Sequence, residues 1–217
     1  MLATNLSKVV AGFNDQVVDS QRIFRNALQA LSHPGQVVEV IPNAAIPDQA
    51  QPSASVLLLS LLDADSHLWV SPSIAKSDAV HWLVFHTNCM LVDNLALADF
   101  AWIHSIDEMP ALASFNQGTD EYPELSTTCL LNIASFENEV NAVQPITLEG
   151  PGILGTSQLC LKLVVSSQIE NLLSQWHTNN QQFPKGIDVF LCGTNQIVGL
   201  PRTTKLSRTD TTASIKG

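Results

Sequence analysis

The sequence predicts a single α/β domain with a mixed β-sheet flanked by helices. Three observations carry this expectation. Runs of strand length alternate with segments of helical periodicity through most of the chain. Near the end, Ile187–Cys192 and Gln196–Leu200 are joined by Gly193-Thr194-Asn195, the pattern of an antiparallel hairpin. The chain has 217 residues, of which 45% are hydrophobic, enough for one sizeable core. It has no internal repeat, low-complexity segment or linker to divide it. Residues 1–217 therefore read as one domain, with residues 205–217 as a polar, flexible tail.

The elements follow in order. A helix is predicted from about Ser20 to Leu31, because Phe24, Ala27, Leu28 and Leu31 share one face. Asp19 or Ser20 would cap it, and Pro34-Gly35 would end it. Val37–Ile41 is rich in branched residues and reads as a strand, and Ala44–Pro52 as a loop. The leucines of Ala54–Leu62 favour a buried helix. Leu68–Val70 is a short strand, followed by a helix over Lys76–Phe85 with Val80, Leu83 and Val84 as its stripe. Phe100–Ile103 reads as a strand and Asp107–Phe115 as a helix with Pro110 early in it. Ser126–Ile133 is a buried strand. The clearest helix runs from Ser167 to about His177, with Ile169, Leu172, Leu173 and Trp176 on one side and capping-box spacing between Ser167 and Glu170.

Charge and composition exclude several classes. The net charge is -10, and Lys76 is the only Lys or Arg between Asn26 and Leu161. Such an acidic body repels phosphate backbones, so no nucleic-acid partner is expected. No apolar run reaches the length of a membrane span, and Met1–Lys8 lacks the pattern of a signal peptide. Cys89, Cys129, Cys160 and Cys192 are too widely spaced for a metal-ligand pair and read as buried, reduced thiols. The expected compartment is the cytoplasm.

Four polar motifs interrupt this apolar background: Phe24-Arg25 through His33-Pro34-Gly35, Phe85-His86-Thr87-Asn88, Phe183-Pro184-Lys185-Gly186-Ile187-Asp188, and Leu200-Pro201-Arg202-Thr203-Thr204. Arg202, flanked by Pro201 and by the hydroxyls of Thr203 and Thr204, suits a phosphate or carboxylate, or else an internal ion pair. Asp188 lies in an apolar run and needs a partner, for which Arg202 or a loop amide is suitable. His86 sits at a helix end among polar neighbours. Gly150-Pro151-Gly152-Ile153-Leu154-Gly155 matches the dinucleotide fingerprint in letters. The apolar, branched stretch Leu159–Val165 after it lacks a helical stripe, so the match reads as a structural turn. Gly150 and Gly152 remain candidate anion contacts through exposed amides. No lysine has the setting of a Schiff-base lysine, and no nucleophile elbow occurs.

Taken in order, these motifs resemble one family. Together with Leu57–Asp63, Leu68-Trp69-Val70, Gly118-Thr119, Pro123 and Gly150–Ile153, they are similar to the H subunit of the carbon–phosphorus lyase core complex, the PhnH family. Lys185 departs from the apolar residue expected there. The resemblance implies a fold related to the large domain of pyridoxal-phosphate-dependent transferases, without that cofactor. It implies a homodimer that joins the sister subunits PhnG, PhnI and PhnJ, with PhnL acting alongside. It implies an assembly that transfers the ribose triphosphate of ATP or GTP to a phosphonate with release of the base. No cofactor is expected on this chain, and no catalytic residue is assigned. The alternatives are a free-standing dinucleotide-dependent enzyme using the Gly150–Gly155 turn and a nucleotide-binding regulatory module.

Overall fold

The structure of the protein, a computed structural model, describes residues 10–48, 50–136, 145–161 and 166–208. It contains a seven-stranded sheet, a three-stranded sheet and four α-helices among these residues. The helices are α1 (Gln16–Ser32), α2 (Pro52–Leu61), α3 (Asp78–Thr87) and α4 (Ser166–Gln181). The strands are β1 (Val38–Glu39), β2 (His67–Val70), β3 (Met90–Leu91), β4 (Phe100–Ile103), β5 (Thr128–Asn132), β6 (Ile146–Glu149), β7 (Ser157–Leu159), β8 (Asp188–Cys192), β9 (Gln196–Leu200) and β10 (Lys205–Arg208).

The large sheet has the order β1-β9-β8-β5-β4-β2-β3. Strands β8, β5, β4, β2 and β3 are parallel, and β9 runs against both its neighbours. The expected mixed α/β sheet and its closing β8–β9 hairpin are therefore present. Strand alternation divides the core in two. Leu68, Trp102, Leu130, Phe190 and Ile197 face α1, α2 and α3. Ala101, Ile103, Cys129, Leu131, Val189 and Leu191 face α4 and the small sheet, where Ile146, Leu148 and Trp176 meet them. α2 is apolar almost all round because it lies over the sheet, and Ser53 to Leu58 are all buried.

Several expectations are corrected. α1 begins at Gln16, capped by Asp15, whose carboxylate accepts from the Val17 and Val18 amides. Asp19, expected as a cap, is buried inside the first turns, where it accepts from the Asp15 amide and from Asn43. The buried side of α1 is Ile23, Ala27 and Ala30, while Phe24 and Leu28 are exposed. The expected helix over Asp107–Phe115 is two short 3₁₀ turns, Ile106–Glu108 and Leu112–Ser114, with Pro110 between them. Pro110 has no amide to give and pushes Met109 out of helical geometry, so one continuous helix cannot form. Ser167 lies inside α4 and Glu170 pairs with Arg208 at 2.6 Å, so the capping box is not made.

Lys205–Arg208, expected to open a flexible tail, is strand β10 and pairs with β6. Residues 209–217 lie outside the described residues, as do Lys162–Val165 of the apolar stretch after β7. The four cysteines are buried and form no disulfide among the described residues, and burial drives the Cys129 and Cys192 thiols far above their ordinary range. No helix among the described residues is long and apolar enough to cross a membrane.

Candidate functional site

The parallel strands have two ends, and the sequence motifs fall mostly at one of them. Arg202 follows β9, which runs antiparallel, so it lies at the amino ends of β5 and β8. Its side chain is only 12% exposed. The five N–H donors of its guanidinium each find an acceptor. Nε donates to Asp188 Oδ1 at 3.2 Å and Nη2 to Asp188 Oδ2 at 2.7 Å. Nη2 also reaches Ser126 Oγ at 2.6 Å, and Nη1 reaches the carbonyls of Pro123 and Pro184 at 2.8 and 3.4 Å. The Arg202 amide donates to Asp188 Oδ1 as well, at 2.7 Å. Asp188 and Arg202 are thus brought together, and this Arg is a brace joining four segments of chain, with no donor over for an anion.

Thr204 is fully buried, and its carbonyl accepts from Trp176 Nε1 at 2.7 Å. Its hydroxyl has no partner among the described residues. Thr203 lends its carbonyl to the wall against Gly150, where a Cβ would meet it at 3.1 Å. Gly150 has φ 144°, and Gly152, at φ 83°, lies so close to the Ser32 carbonyl that no Cβ fits. The Gly150–Gly155 turn joins β6 to β7, an antiparallel pair, so no helix opens from it. It lacks the strand–turn–helix setting that aims amides at a pyrophosphate. Three of the sequence motifs therefore interlock as structure.

His86 lies apart from these, on α3. Its Nε2 donates to the Val10 carbonyl at 3.0 Å, beside Trp82 Nε1, which donates to the same oxygen at 3.1 Å. With Thr87 and Asn88 it forms a helix stop. Asn88 sits in the left-handed region at φ 56°, and the Thr87 hydroxyl donates to Leu83 O at 2.8 Å. A cavity of about 490 Å³ adjoins it, lined by Gly12, Ser20, Leu62 and Asp63 among others.

The larger cavity is at the opposite, carboxyl ends of the parallel strands. It measures about 700 Å³ and is lined by Gln51, Ser73, Lys76, Ser77, Trp102, His104 and Asn132, with Asp48 and Asp78 also on its wall. β3 lies to one side of β2 and β4 to the other, so the strand order reverses here. Open α/β sheets bind ligands in the crevice at such a switch point. Lys76 makes no ion pair among the described residues. Trp102 Nε1 donates to Asn132 Oδ1 at 3.1 Å, which fixes both against the floor. Glu108 borders the same loops. The Ser73 hydroxyl above all, then, against the cost of burial, the Ser73 amide and nearby His104, hold its carboxyl below the usual range.

The residues that sequence reasoning missed are Ser77, His104, Trp102 and Asn132. The signals were Lys76 as the lone cation of a long acidic stretch, a polar residue directly after β4 and a polar residue closing β5. Among the described residues no group of three or more His, Cys, Asp or Glu is placed to hold a metal ion.

Fold and crevice define an open-sheet α/β protein with a polar cleft at its strand ends and a rigid, braced opposite end. The model of the bacterial phosphonate metabolism protein family, PhnH, matches residues 11–207. The chain belongs to this family. It is 32% identical over 206 residues to the alpha-D-ribose 1-methylphosphonate 5-triphosphate synthase subunit PhnH of Rhizobium meliloti, covering 94% of this chain and 99% of that protein. It is 26% identical over 192 residues to a putative C-P lyase subunit protein, HtxG, of Stutzerimonas stutzeri, covering 88% of each.

Proposed function

We propose that this chain is the H subunit of a ribose 1-phosphonate 5-triphosphate synthase in carbon–phosphorus lyase metabolism. The assembly transfers the ribose triphosphate of ATP or GTP to an alkylphosphonate and releases the base. The observation that carries this reading is the end-to-end similarity to the Rhizobium subunit, which leaves 1% of that protein unmatched. The chain acts within the assembly and is not a catalyst alone. In support, Arg202 and Asp188 satisfy each other, and the glycine turn closes a hairpin. The partners in this reading are a second copy of the chain, the sister subunits PhnG, PhnI and PhnJ, and PhnL functionally. The compartment is the cytoplasm. The chain itself holds no cofactor, and the sheet is a relative of the pyridoxal-phosphate transferase large domain that has lost that role. If it contributes groups to the chemistry, the crevice with Lys76 and His104 is where they lie.

The test is genetic and biochemical together. Deleting the gene should abolish growth on methylphosphonate as sole phosphorus source, and the wild-type chain should restore it. Normal growth of the deletion strain would reject the function. Turnover of ATP plus methylphosphonate by the isolated chain would reject the non-catalytic role.

A further inference from the structure

At the amino end of the parallel strands, two exposed segments are tied side by side: the loop 116–126 and the turn 183–186. The Gly186 amide donates to Gln117 O at 3.0 Å, and Lys185 Nζ stands 3.8 Å from Asp120. Arg202 Nη1 reaches both the Pro123 and Pro184 carbonyls. Three large apolar side chains flank those two prolines and point outward: Tyr122 is 54% exposed, Leu125 59% and Phe183 62%. The loop backbone is fixed from within. Asn116 Nδ2 donates to Leu125 O at 2.7 Å, and Thr119 Oγ1 accepts from the Tyr122 amide at 2.9 Å. Exposed aromatic and aliphatic groups on a backbone held this firmly lose little freedom on binding, and Tyr and Phe are efficient contact residues. The same loop carries exposed carboxylates at Asp120, Glu121 and Glu124, with Lys185 as the cation beside them.

We propose that this braced surface is a docking site for a different polypeptide, one that offers an apolar socket within a basic rim. The charges choose the occupant. In a symmetric contact between two copies the patch would meet itself, and Asp120, Glu121 and Glu124 would face like carboxylates on a chain of net charge -10. A basic partner gains from the same groups. On this view Arg202 serves recognition from behind, as a positioning residue that holds Pro123 and Pro184 together. The proposal rests on the reading that the chain works inside a multisubunit synthase, and it assigns the face by which it joins.

The experiment measures binding of the purified full-length chain to the purified remaining subunits of the synthase, by surface plasmon resonance at low and high salt. Two variants change only exposed groups: Leu125→Ser with Phe183→Ser, and Glu121→Lys with Glu124→Lys. Each should weaken Kd tenfold or more with an unchanged unfolding midpoint. The charge-reversed variant should also lose most of the salt dependence. Leu154→Ser, a fully exposed site on the β6–β7 turn and outside the two docking segments, should bind as wild type. Wild-type affinity in both variants would overturn the proposal while leaving the assembly reading intact. Loss of self-association in the variants, with subunit binding retained, would overturn it in favour of a contact between copies. Absence of binding by the wild-type chain would reject the assembly reading and this proposal with it.

Discussion

Arg202 illustrates how one residue can hold a region together: of the two roles its sequence setting allows, an anion contact or an internal ion pair, it makes the ion pair with Asp188. Replacing it by Ala leaves the Asp188 carboxylate, 21% exposed, without its counter-ion and frees two loop carbonyls. Removing one partner of a largely buried pair costs about 3–5 kcal/mol. The midpoint of thermal unfolding of Arg202→Ala should therefore fall sharply. Arg202→Lys should recover only part of the loss, because an ammonium cannot span the five acceptors in the plane of a guanidinium. A midpoint within a degree or two of wild type would show that the brace is not needed for stability. Asp19 makes a second case. The Asp15 amide first, then Asn43 and Arg22, hold its carboxyl below its ordinary value, against the cost of burial. Its folded pKa lies below its unfolded one. Its contribution is therefore complete above the unfolded carboxylate pKa and is lost as pH falls through the folded value. Asp19→Asn should flatten the acid limb of the stability–pH curve, and an unchanged limb would assign the acid sensitivity to other carboxylates.

At the level of elements, α1 and β9 meet without a spacer. A Cβ on Gly199 would stand 2.5 Å from the Ala30 carbonyl carbon and 2.7 Å from the Leu31 amide nitrogen. Gly199→Ala should push the helix off the sheet. Overpacking costs about 1–3 kcal/mol, and a backbone clash belongs at the upper end. For a chain of this size that is a fall of about 6–12 °C in Tm, and a variant melting with wild type would mean that the helix shifts freely. How much of these elements was legible follows from where their signals lie. α2, β2, β4, β5, β8 and β9 were readable because apolar runs of the right length carry them. The face of α1 was misread, since Phe24 and Leu28 look like core residues yet remain exposed while the smaller Ala27 and Ala30 pack inward. Close approach to β9 demands small residues there, and no local pattern announces it. β10 was missed because Lys205-Leu206-Ser207-Arg208 gains its strand form from pairing with β6, a partner more than fifty residues earlier.

The whole molecule divides its labour between the two ends of one sheet. The amino end holds the interlocked motifs, visible in sequence as unusual residues, whose side chains tie loop and strand together. The carboxyl end holds the crevice, whose lining comes from five separate stretches and so leaves no single motif to read. Lys76 offers the direct test. It is exposed and makes no ion pair among the described residues, so Lys76→Ala should leave the free energy of unfolding within about 0.5 kcal/mol of wild type. If the crevice serves the synthase, the variant should nevertheless restore growth on methylphosphonate poorly. Full restoration would remove the crevice from the function and leave assembly as the role of the chain.

The edge pairing of β1 with β9 has a consequence for how the molecule is made. Val38 and Glu39 find their ladder partners only at Ile197 and Gln196. At ribosomal speeds of about 5–20 residues per second, the segment emerges roughly ten to thirty seconds before its partner exists. Through that interval β1 is an unpaired edge, and the seat of α1 against Gly199 is missing. A segment made long before its partner strand is thus among the last to settle. A nascent chain stalled after Cys192 should leave residues around Val38 open to protease, and one stalled well past Leu200 should protect them. Protection at both lengths would mean that the N-terminal segment finds its place without β9.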